Sequence, residues 1–358
     1  MSEGTLAAAM RARGGVFIGE GGSVTAAHFG DAAEEYAAMR GTAAVVELPW
    51  IERLRATGSD RVGFLQGMLS NDVAKLVPGT GCPALLLNEQ GRAVGDLVVL
   101  AGEGVIVLDG VGATSTVRAA LERFMVADDV ELVPATATSV LAVLGPQASD
   151  VLARLDLPAP AAPYAHAPAA IPDDVLHVVR VPAPGTGGFV CRVPTAAAAT
   201  WWERSIAAGA RAAGSEAFEV LRIESGVPRH GRDVFSDTLA LEAPYAHAIS
   251  FRKGCYLGQE VMERITARGN VNRKLVGVEL ESGAVAEPGV RLFAADRDVG
   301  WITSAARSWR LGRTVGLAYV RRDYGEPGAV LALGAAGGPG ATVRALPALD
   351  ANPAGDAG

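Results

Sequence analysis

The spacing of apolar and polar residues predicts alternating strands and helices over the first 274 residues. Residues 53–58 alternate as a half-buried strand does, and Ser59-Asp60 then provides an N-cap for a helix. The further predicted strands cover residues 83–87, 92–100, 105–108, 139–144, 175–181 and 189–193. The further predicted helices cover residues 114–125, 147–155, 196–208 and 216–225. These elements follow no βαβ period, so the pattern favours the α+β class.

The pattern changes beyond residue 275. Short alternating runs near residues 275–280, 298–304, 313–320 and 328–332 are separated by Gly, Pro and Asp turns, which is typical of a small antiparallel β-barrel. Residues 157–172 are rich in Pro and Ala and predict a surface loop or linker. Residues 347–358 have few large apolar groups and predict a flexible tail.

Composition narrows the possible partners and location. The chain has 358 residues with 49% hydrophobic residues, enough for two or three globular domains. The net charge of −7 argues against a DNA-binding protein and against attachment to an anionic membrane. No secretory signal or stretch of about 20 apolar residues is found, and three scattered cysteines fit neither a disulfide framework nor a closed zinc site. We therefore expect a cytoplasmic protein.

The segment from Ser250 to Arg268 contains the densest group of chemically active residues. Cys255 lies between Gly254 and Gly258 and follows two cations, Arg252 and Lys253. Neighbouring cations favour the thiolate, and the glycines allow a ligand to approach the backbone. The alternative is a buried cysteine that packs as a small hydrophobic residue, and these residues alone leave both interpretations open.

Other common sites are not predicted. The five histidines show no ligand spacing with one another or with the cysteines, so we expect no metal site. No glycine-rich phosphate loop opens a helix.

Several motifs together resemble the YgfZ family. These are folate-binding relatives of the glycine-cleavage T-protein that are linked to iron-sulfur protein maturation and, in some members, to tRNA modification. The motifs are Lys253-Gly254-Cys255-Tyr256-Leu257-Gly258-Gln259-Glu260, Leu54 to Arg61 with Phe64 to Gly67 and Ser70 to Val73, Leu221 to Arg229, and Leu241-Glu242-Ala243. Their order and spacing agree with the family from about residue 47 to residue 278, and the family also has a C-terminal barrel.

The resemblance implies both the architecture and the ligand. It implies an intertwined two-lobed folate-binding region over residues 1–274, a barrel over residues 275–346, and tetrahydrofolate as the cofactor. Glu224 matches a glutamate that hydrogen-bonds the pterin ring, since one carboxylate can accept bonds from two adjacent N–H groups. The other expected folate-binding residues are Asp96, Glu242, Arg264 and Arg268, and Cys255 with Lys253 is the expected catalytic pair.

One departure from the T-protein separates the possible functions. T-proteins carry two consecutive acids where this chain has Gly95-Asp96, and they lack the Lys-Gly-Cys segment. The sequence therefore favours a YgfZ-type protein that assists iron-sulfur protein assembly or repair, with a reduced folate and iron-sulfur clients as partners and tRNA not excluded. It predicts no aminomethyl transfer, because an acid is missing. The alternatives are a folate-dependent aminomethyltransferase and a non-catalytic folate-sensing scaffold in which Cys255 is structural.

Overall fold

The computed structural model describes residues 6–20, 23–171, 174–182, 185, 187–269 and 271–346. The helices are α1 Leu6–Ala12, α2 Ala32–Gly41, α3 Arg61–Met68, α4 Arg118–Glu122, α5 Ala148–Arg154, α6 Ala198–Ala207, α7 Ser215–Glu224 and α8 Gln259–Arg268. The strands of the first two thirds are β1 Val16–Glu20, β2 Ser23–His28, β3 Ala44–Glu47, β4 Glu52–Thr57, β5 Gly81–Leu87, β6 Ala93–Gly102, β7 Val105–Gly110, β8 Glu131–Pro134, β9 Thr138–Leu144, β10 His166–Ile171, β11 Asp174–Val181, β12 Gly188–Pro194 and β13 Arg211–Ala213. The remaining strands are β14 Arg273–Leu280, β15 Arg291–Ala294, β16 Arg297–Ser308, β17 Arg313–Arg321, β18 Val330–Leu333 and β19 Gly340–Arg344.

The chain divides into two compact units. Unit 1 contains residues 1–86, 94–218 and 248–257, and unit 2 contains residues 87–93, 219–247 and 258–358. Both units are therefore built from segments that are distant in sequence. The domain boundary that the sequence predicts at residue 274 lies where the barrel strands begin, and it stays a prediction.

Unit 1 is organised around two sheets with separate cores. One sheet has the strand order β10-β11-β12-β9-β3-β13 and the other has the order β5-β6-β7-β4-β8. Apolar residues of α1, α5 and α6 cover the first sheet, with Trp202 fully buried among them. Helix α3 and the segment 113–121 cover the second sheet. Each sheet thus buries one face under helices, as a two-layer α+β arrangement requires.

A buried ion-pair triad connects these two sheets. Arg53 on β4 donates from Nε and Nη2 to the two carboxylate oxygens of Asp109 on β7, at 2.7 and 2.6 Å. Arg192 on β12 adds a second cation, with Nη2 3.2 Å from Asp109 Oδ1. Burial alone would raise the pKa of Asp109, but the two guanidinium groups outweigh it and lower the pKa. Removing Asp109 would leave the two buried guanidinium groups without the carboxylate they share.

Unit 2 contains a closed barrel with the strand order β14-β17-β16-β15-β18-β19. Ile223, near the end of α7, packs with Leu275, Leu317 and Tyr319 of the barrel strands. Next to this cluster, the fully buried Asp233 accepts hydrogen bonds from Arg222 at 2.7 Å and from the hydroxyls of Thr303 and Ser304 at 2.6 Å each. These bonds fix the segment after α7 against β16. Across the described ranges, no helix has the length and apolar character needed to cross a lipid bilayer.

Most of the predicted elements are confirmed, one predicted loop is wrong in part, and several elements, among them α1, α2, β1–β3, β8 and β13, were not predicted. The loop predicted over residues 157–172 is wrong in its last third, because β10 forms there as an edge strand that tolerates Pro168. The helix predicted over residues 114–125 is confirmed as far as residue 122, as a π-helical turn at 113–117 that continues directly into α4. The barrel has two further strands, β15 and β19, that are only four and five residues long. The predicted tail at residues 347–358 lies outside the described residues.

Two histidines pair across the β10–β11 hairpin, which the sequence analysis did not foresee. His166 Nδ1 lies 2.9 Å from His177 Nε2, and His166 Nε2 lies 2.9 Å from the carbonyl oxygen of Ala101. Burial lowers the pKa of His177 to about 4, and the cation of Arg53 acts in the same direction. Burial also lowers the pKa of His166. Both imidazoles are therefore neutral at pH 7 and share one N–H between them.

This pair predicts a contribution to the stability of unit 1 that is lost in acid. Because the folded state holds His177 with a pKa of about 4 against 6.5 in the unfolded chain, the unfolded state binds more protons in that interval and the free energy of unfolding falls as the pH falls. We expect His177 by itself to contribute a loss of about 2 kcal/mol between pH 7.5 and 5. Burial raises the pKa of Glu47 to about 7, which changes the total in the opposite direction, so the His177 contribution is measured as the difference between denaturant titrations of the unsubstituted protein and His177→Gln. His177→Gln should remove most of this loss, and the exposed His247→Gln is the matched control. Equal pH dependence in His177→Gln and the unsubstituted protein would contradict this account.

Candidate functional site

Residues 248–257, here called the cysteine loop, carry the Lys-Gly-Cys segment. The loop is bound to the turn that follows α3. Ser250 N donates to Ser70 O at 2.9 Å, and Leu257 N donates to Gly67 O at 3.0 Å. The hydroxyl of Ser70 donates to Ala248 O at 2.7 Å and accepts from Leu85 N on β5 at 2.8 Å. Both ends of the cysteine loop are therefore fixed to unit 1.

Lys253 is the centre of this attachment. Its Nζ donates to the carbonyl oxygens of Gln66 and Leu69 at 2.5 Å and of Asn71 at 3.0 Å. A lysine ammonium has three N–H donors, so these bonds use all of them. The ammonium also lies 5.1 Å from the ring centroid of Tyr256. Burial lowers the pKa of Lys253 to about 8, while the charge of Asp72 acts in the opposite direction.

Cys255 is exposed, and the other two cysteines are not. Burial raises the pKa of Cys82 to about 11 and also raises the pKa of the fully buried Cys191. Their thiolate fractions at neutral pH are therefore small. Because Cys255 is the exposed cysteine, its thiol is the one that a partner or reagent reaches most easily.

The two glycines beside Cys255 have different roles. A Cβ at Gly254 would meet no atom of the described residues within 4 Å, which leaves room there for a ligand to approach the backbone. Gly258 is the N-cap of α8 and has a φ of 82°, and a Cβ at this position would lie 2.5 Å from the carbonyl oxygen of Asn88. Gly258 is thus required by the local backbone.

Asp96 lies on β6, whose side chains alternate between two environments. Gly95 faces the buried side with Leu97, and a Cβ there would lie 2.6 Å from Val117 Cγ2. Asp96 faces the other side and is half-buried. Burial raises the pKa of Tyr164, and the charge of Asp96 raises it further. An acid at residue 95 would point into the core, whereas Asp96 does not.

The remaining predicted folate-binding residues belong to unit 2. Glu224 ends α7 and is 1% exposed. Glu242 is also buried and accepts a hydrogen bond from Arg273 Nε at 3.0 Å. Burial raises the pKa of Glu242, and Arg273 opposes this rise. Arg264 is exposed on α8, and the side chain of Arg268 at the end of that helix lies outside the described part of the structure.

The structure therefore groups the predicted site residues in two sets. Cys255, Lys253 and Asp96 belong to unit 1, and Glu224, Glu242 and Arg264 belong to unit 2. A buried carboxylate such as Glu224 has the chemistry to accept the adjacent N–H donors of a pterin. Within the described ranges, no three His, Cys, Asp or Glu side chains are grouped to hold a metal ion.

Sequence reasoning missed two contributors to the site. Ser70 lies inside a motif that supported the family resemblance, but its spacing gave no sign that its hydroxyl joins the cysteine loop to β5. Tyr164 lies in the stretch that was predicted to be a loop and has a φ of 60°, which is unusual for a non-glycine residue. Only in the folded chain does the charge of Asp96 act on Tyr164.

Two protein-family models match consecutive parts of the chain. The GCVT N-terminal domain matches residues 6–253, and the glycine cleavage T-protein C-terminal barrel domain matches residues 273–350. In solved structures, the chain is similar to the glycine cleavage system aminomethyltransferase T of Bartonella henselae, with a TM-score of 0.86, 22% identity, and coverage of 95% of this chain and 96% of that one. This likeness supports the fold.

Curated relatives are similar over most of their length. An aminomethyltransferase of Geobacillus kaustophilus is 32% identical over 319 residues, which are 86% of this chain and 87% of the relative. An aminomethyltransferase of Thermosynechococcus vestitus is 28% identical over 304 residues, covering 84% and 82%. The family uses tetrahydrofolate, the cofactor that the sequence predicts. The two family models match the chain in order and together cover most of its length. The chain therefore belongs to the T-protein family of aminomethyltransferases.

Proposed function

We propose that this chain is a tetrahydrofolate-binding protein of YgfZ type, in which the thiol of Cys255 assists the assembly or repair of iron-sulfur proteins. The observation that carries the proposal is the cysteine loop itself. It has an exposed thiol on a backbone that is bonded at both ends, while Cys82 is half-buried and Cys191 is buried. A folded protein has no need of such a thiol for packing, which supports a chemical role. The Lys-Gly-Cys motif supports the iron-sulfur assignment by resemblance alone.

The second candidate is folate-dependent aminomethyl transfer, and the named relatives favour it. The missing acid at residue 95 is a weaker objection than the sequence suggests, because a side chain there would point toward Val117. Asp96 keeps a carboxylate on the accessible face of β6. A carboxylate in that position can hold or move a proton on a folate nitrogen. The two candidates therefore depend on different residues, Cys255 and Asp96.

The folate is expected to depend on Glu224 in both cases. Glu224→Ala should weaken tetrahydrofolate binding by about 1.5–3 kcal/mol, because a buried carboxylate that accepts two N–H bonds is lost. Calorimetry with tetrahydrofolate measures this, with the exposed Glu216→Ala on the same helix as the control. Glu224→Gln keeps the shape of the side chain and removes its charge. Weaker binding in this variant would therefore come from the lost carboxylate and not from altered packing. Unchanged affinity in both Glu224 variants would remove the pterin assignment.

Alkylation tests the accessibility of the thiol. Iodoacetamide at pH 7.5 should modify Cys255 first, Cys82 far more slowly and Cys191 last, because burial withholds the latter two and raises their pKa values. Mass spectrometry of digested samples gives the order, and unfolding in denaturant should bring the three rates together. If Cys255 is not the first residue modified, the thiol proposal loses its basis.

A pair of substitutions separates the two candidate functions. Cys255→Ser should abolish support of iron-sulfur enzyme maturation in cells that lack their own copy, while Asp96→Asn should retain it. The purified protein should show no aminomethyl transfer from a lipoyl carrier protein to tetrahydrofolate. Transfer that Asp96→Asn removes and Cys255→Ser leaves intact would contradict the thiol proposal and establish the transferase.

A further inference from the structure

Lysine is rare in this chain, yet the buried cation of the cysteine loop is a lysine. Only three of the 32 Lys and Arg residues are lysines, namely Lys75, Lys253 and Lys274. The other two are exposed. Lys253 is 9% exposed and is the one whose Nζ lies among three backbone carbonyls. The choice of an ammonium here follows from the geometry of its acceptors.

The three carbonyls belong to one turn and converge on one point. Gln66 lies in the last turn of α3, Leu69 caps that helix, and Asn71 follows it. Carbonyls at a helix C-terminus have no intrahelical partner and carry partial negative charge, so a cation is favoured there. An ammonium is compact and directs three donors from one atom, whereas a guanidinium is a flat fork that suits parallel acceptors. A lysine therefore fits this position and an arginine does not.

The same turn is itself fixed to the sheet. Asn71 donates from Nδ2 to Pro83 O on β5 at 2.7 Å, and Gln66 donates from Nε2 to Asp72 Oδ1 at 3.0 Å. Lys253 thus joins the cysteine loop to a turn that cannot move independently of β5. Its ammonium has no N–H left for a substrate or for the thiol two residues away.

We propose that Lys253 is a positioning residue that holds the cysteine loop on the turn after α3, so that Cys255 is presented to a partner in one backbone conformation. This inference rests on the proposed function of the thiol, which it deepens. It replaces the expectation that Lys253 acts as a catalytic partner of Cys255. Holding the loop requires three N–H donors on one atom. A substitution that keeps the positive charge but not these donors should therefore not hold the loop.

Two substitutions at residue 253 separate a geometric role from an electrostatic one. Lys253→Met removes the charge and keeps the length of the apolar stem, and Lys253→Arg keeps the charge but changes the donors. Lys75→Met is the matched control, because the exposed Lys75 pairs with the half-buried Asp72 beside the same turn. Hydrogen exchange of the Ser250 and Leu257 amides reports the loop directly, since both amides donate to the turn.

We expect exchange of these two amides to accelerate about tenfold or more in both Lys253 variants and to stay unchanged in Lys75→Met. Both Lys253 variants should lose support of iron-sulfur enzyme maturation in cells. Alkylation of Cys255 by iodoacetamide, a small neutral reagent, should stay within about threefold of the unsubstituted protein, because the thiol is already exposed. If Lys253→Met does not fold, Lys253→Gln serves in its place, with a smaller acceleration of exchange.

Three results would overturn the inference. These are unchanged amide exchange in Lys253→Met, normal cellular support by that variant, or an alkylation rate that falls about tenfold in Lys253→Met and recovers in Lys253→Arg. The last result would assign Lys253 an electrostatic role. If Cys255→Ser itself supports maturation normally, the proposed function fails, and the amide exchange still decides whether Lys253 holds the loop.

Discussion

A buried ammonium needs an acceptor for each of its N–H donors, and in this protein the acceptors are backbone carbonyls at the end of α3. This requirement fixes the cysteine loop to unit 1 through Lys253, with Ser70 and the backbone bonds of Ser250 and Leu257 closing the loop on either side. Without these acceptors, the buried ammonium would lose its hydration and gain no hydrogen bonds in exchange. The attachment leaves Cys255 exposed, while hydrogen bonds hold the backbone on both sides of it. The chemistry that we propose for the thiol depends on that arrangement.

The alternation of side chains along β6 decides how the family's folate chemistry relates to this chain. Residues 95 and 96 point to opposite faces of the sheet, so the glycine at 95 relieves a contact with Val117, while Asp96 is half-buried on the other face. Membership of the T-protein family is therefore compatible with two chemistries, one at the carboxylate of Asp96 and one at the thiol of Cys255. They use different side chains of unit 1, and for this reason single substitutions can separate them.

Local patterns predicted much of the fold, because each element there is specified by its own residues. The strand at residues 53–58 with its following helix, the hairpin strands 175–181 and 189–193, and the barrel all form where the alternation predicts them. The edge strand β10 was missed because the five prolines of residues 157–172 predict a loop, and pairing with β11 stabilises the strand nonetheless. The barrel strands β15 and β19 were also missed, although the equally short β18 was predicted.

For the site, the sequence identified the segment but not its contacts. The motif around Cys255 indicated a reactive thiol, and the exposure of that thiol agrees with this interpretation. The partners of Lys253 lie more than 180 residues away in the chain, so no spacing could reveal them. The same holds for His166 and His177, which meet only because two strands pair.

The most direct measurement is ¹⁵N NMR of the lysine side chains, since the chain has only Lys75, Lys253 and Lys274. In selectively labelled protein, the account predicts one ammonium signal that exchanges slowly with water and correlates with the carbonyl carbons of Gln66, Leu69 and Asn71. The signals of Lys75 and Lys274 should exchange too fast for such correlations, because both side chains are exposed. Three rapidly exchanging signals would contradict the account, since Lys253 would then not hold the cysteine loop.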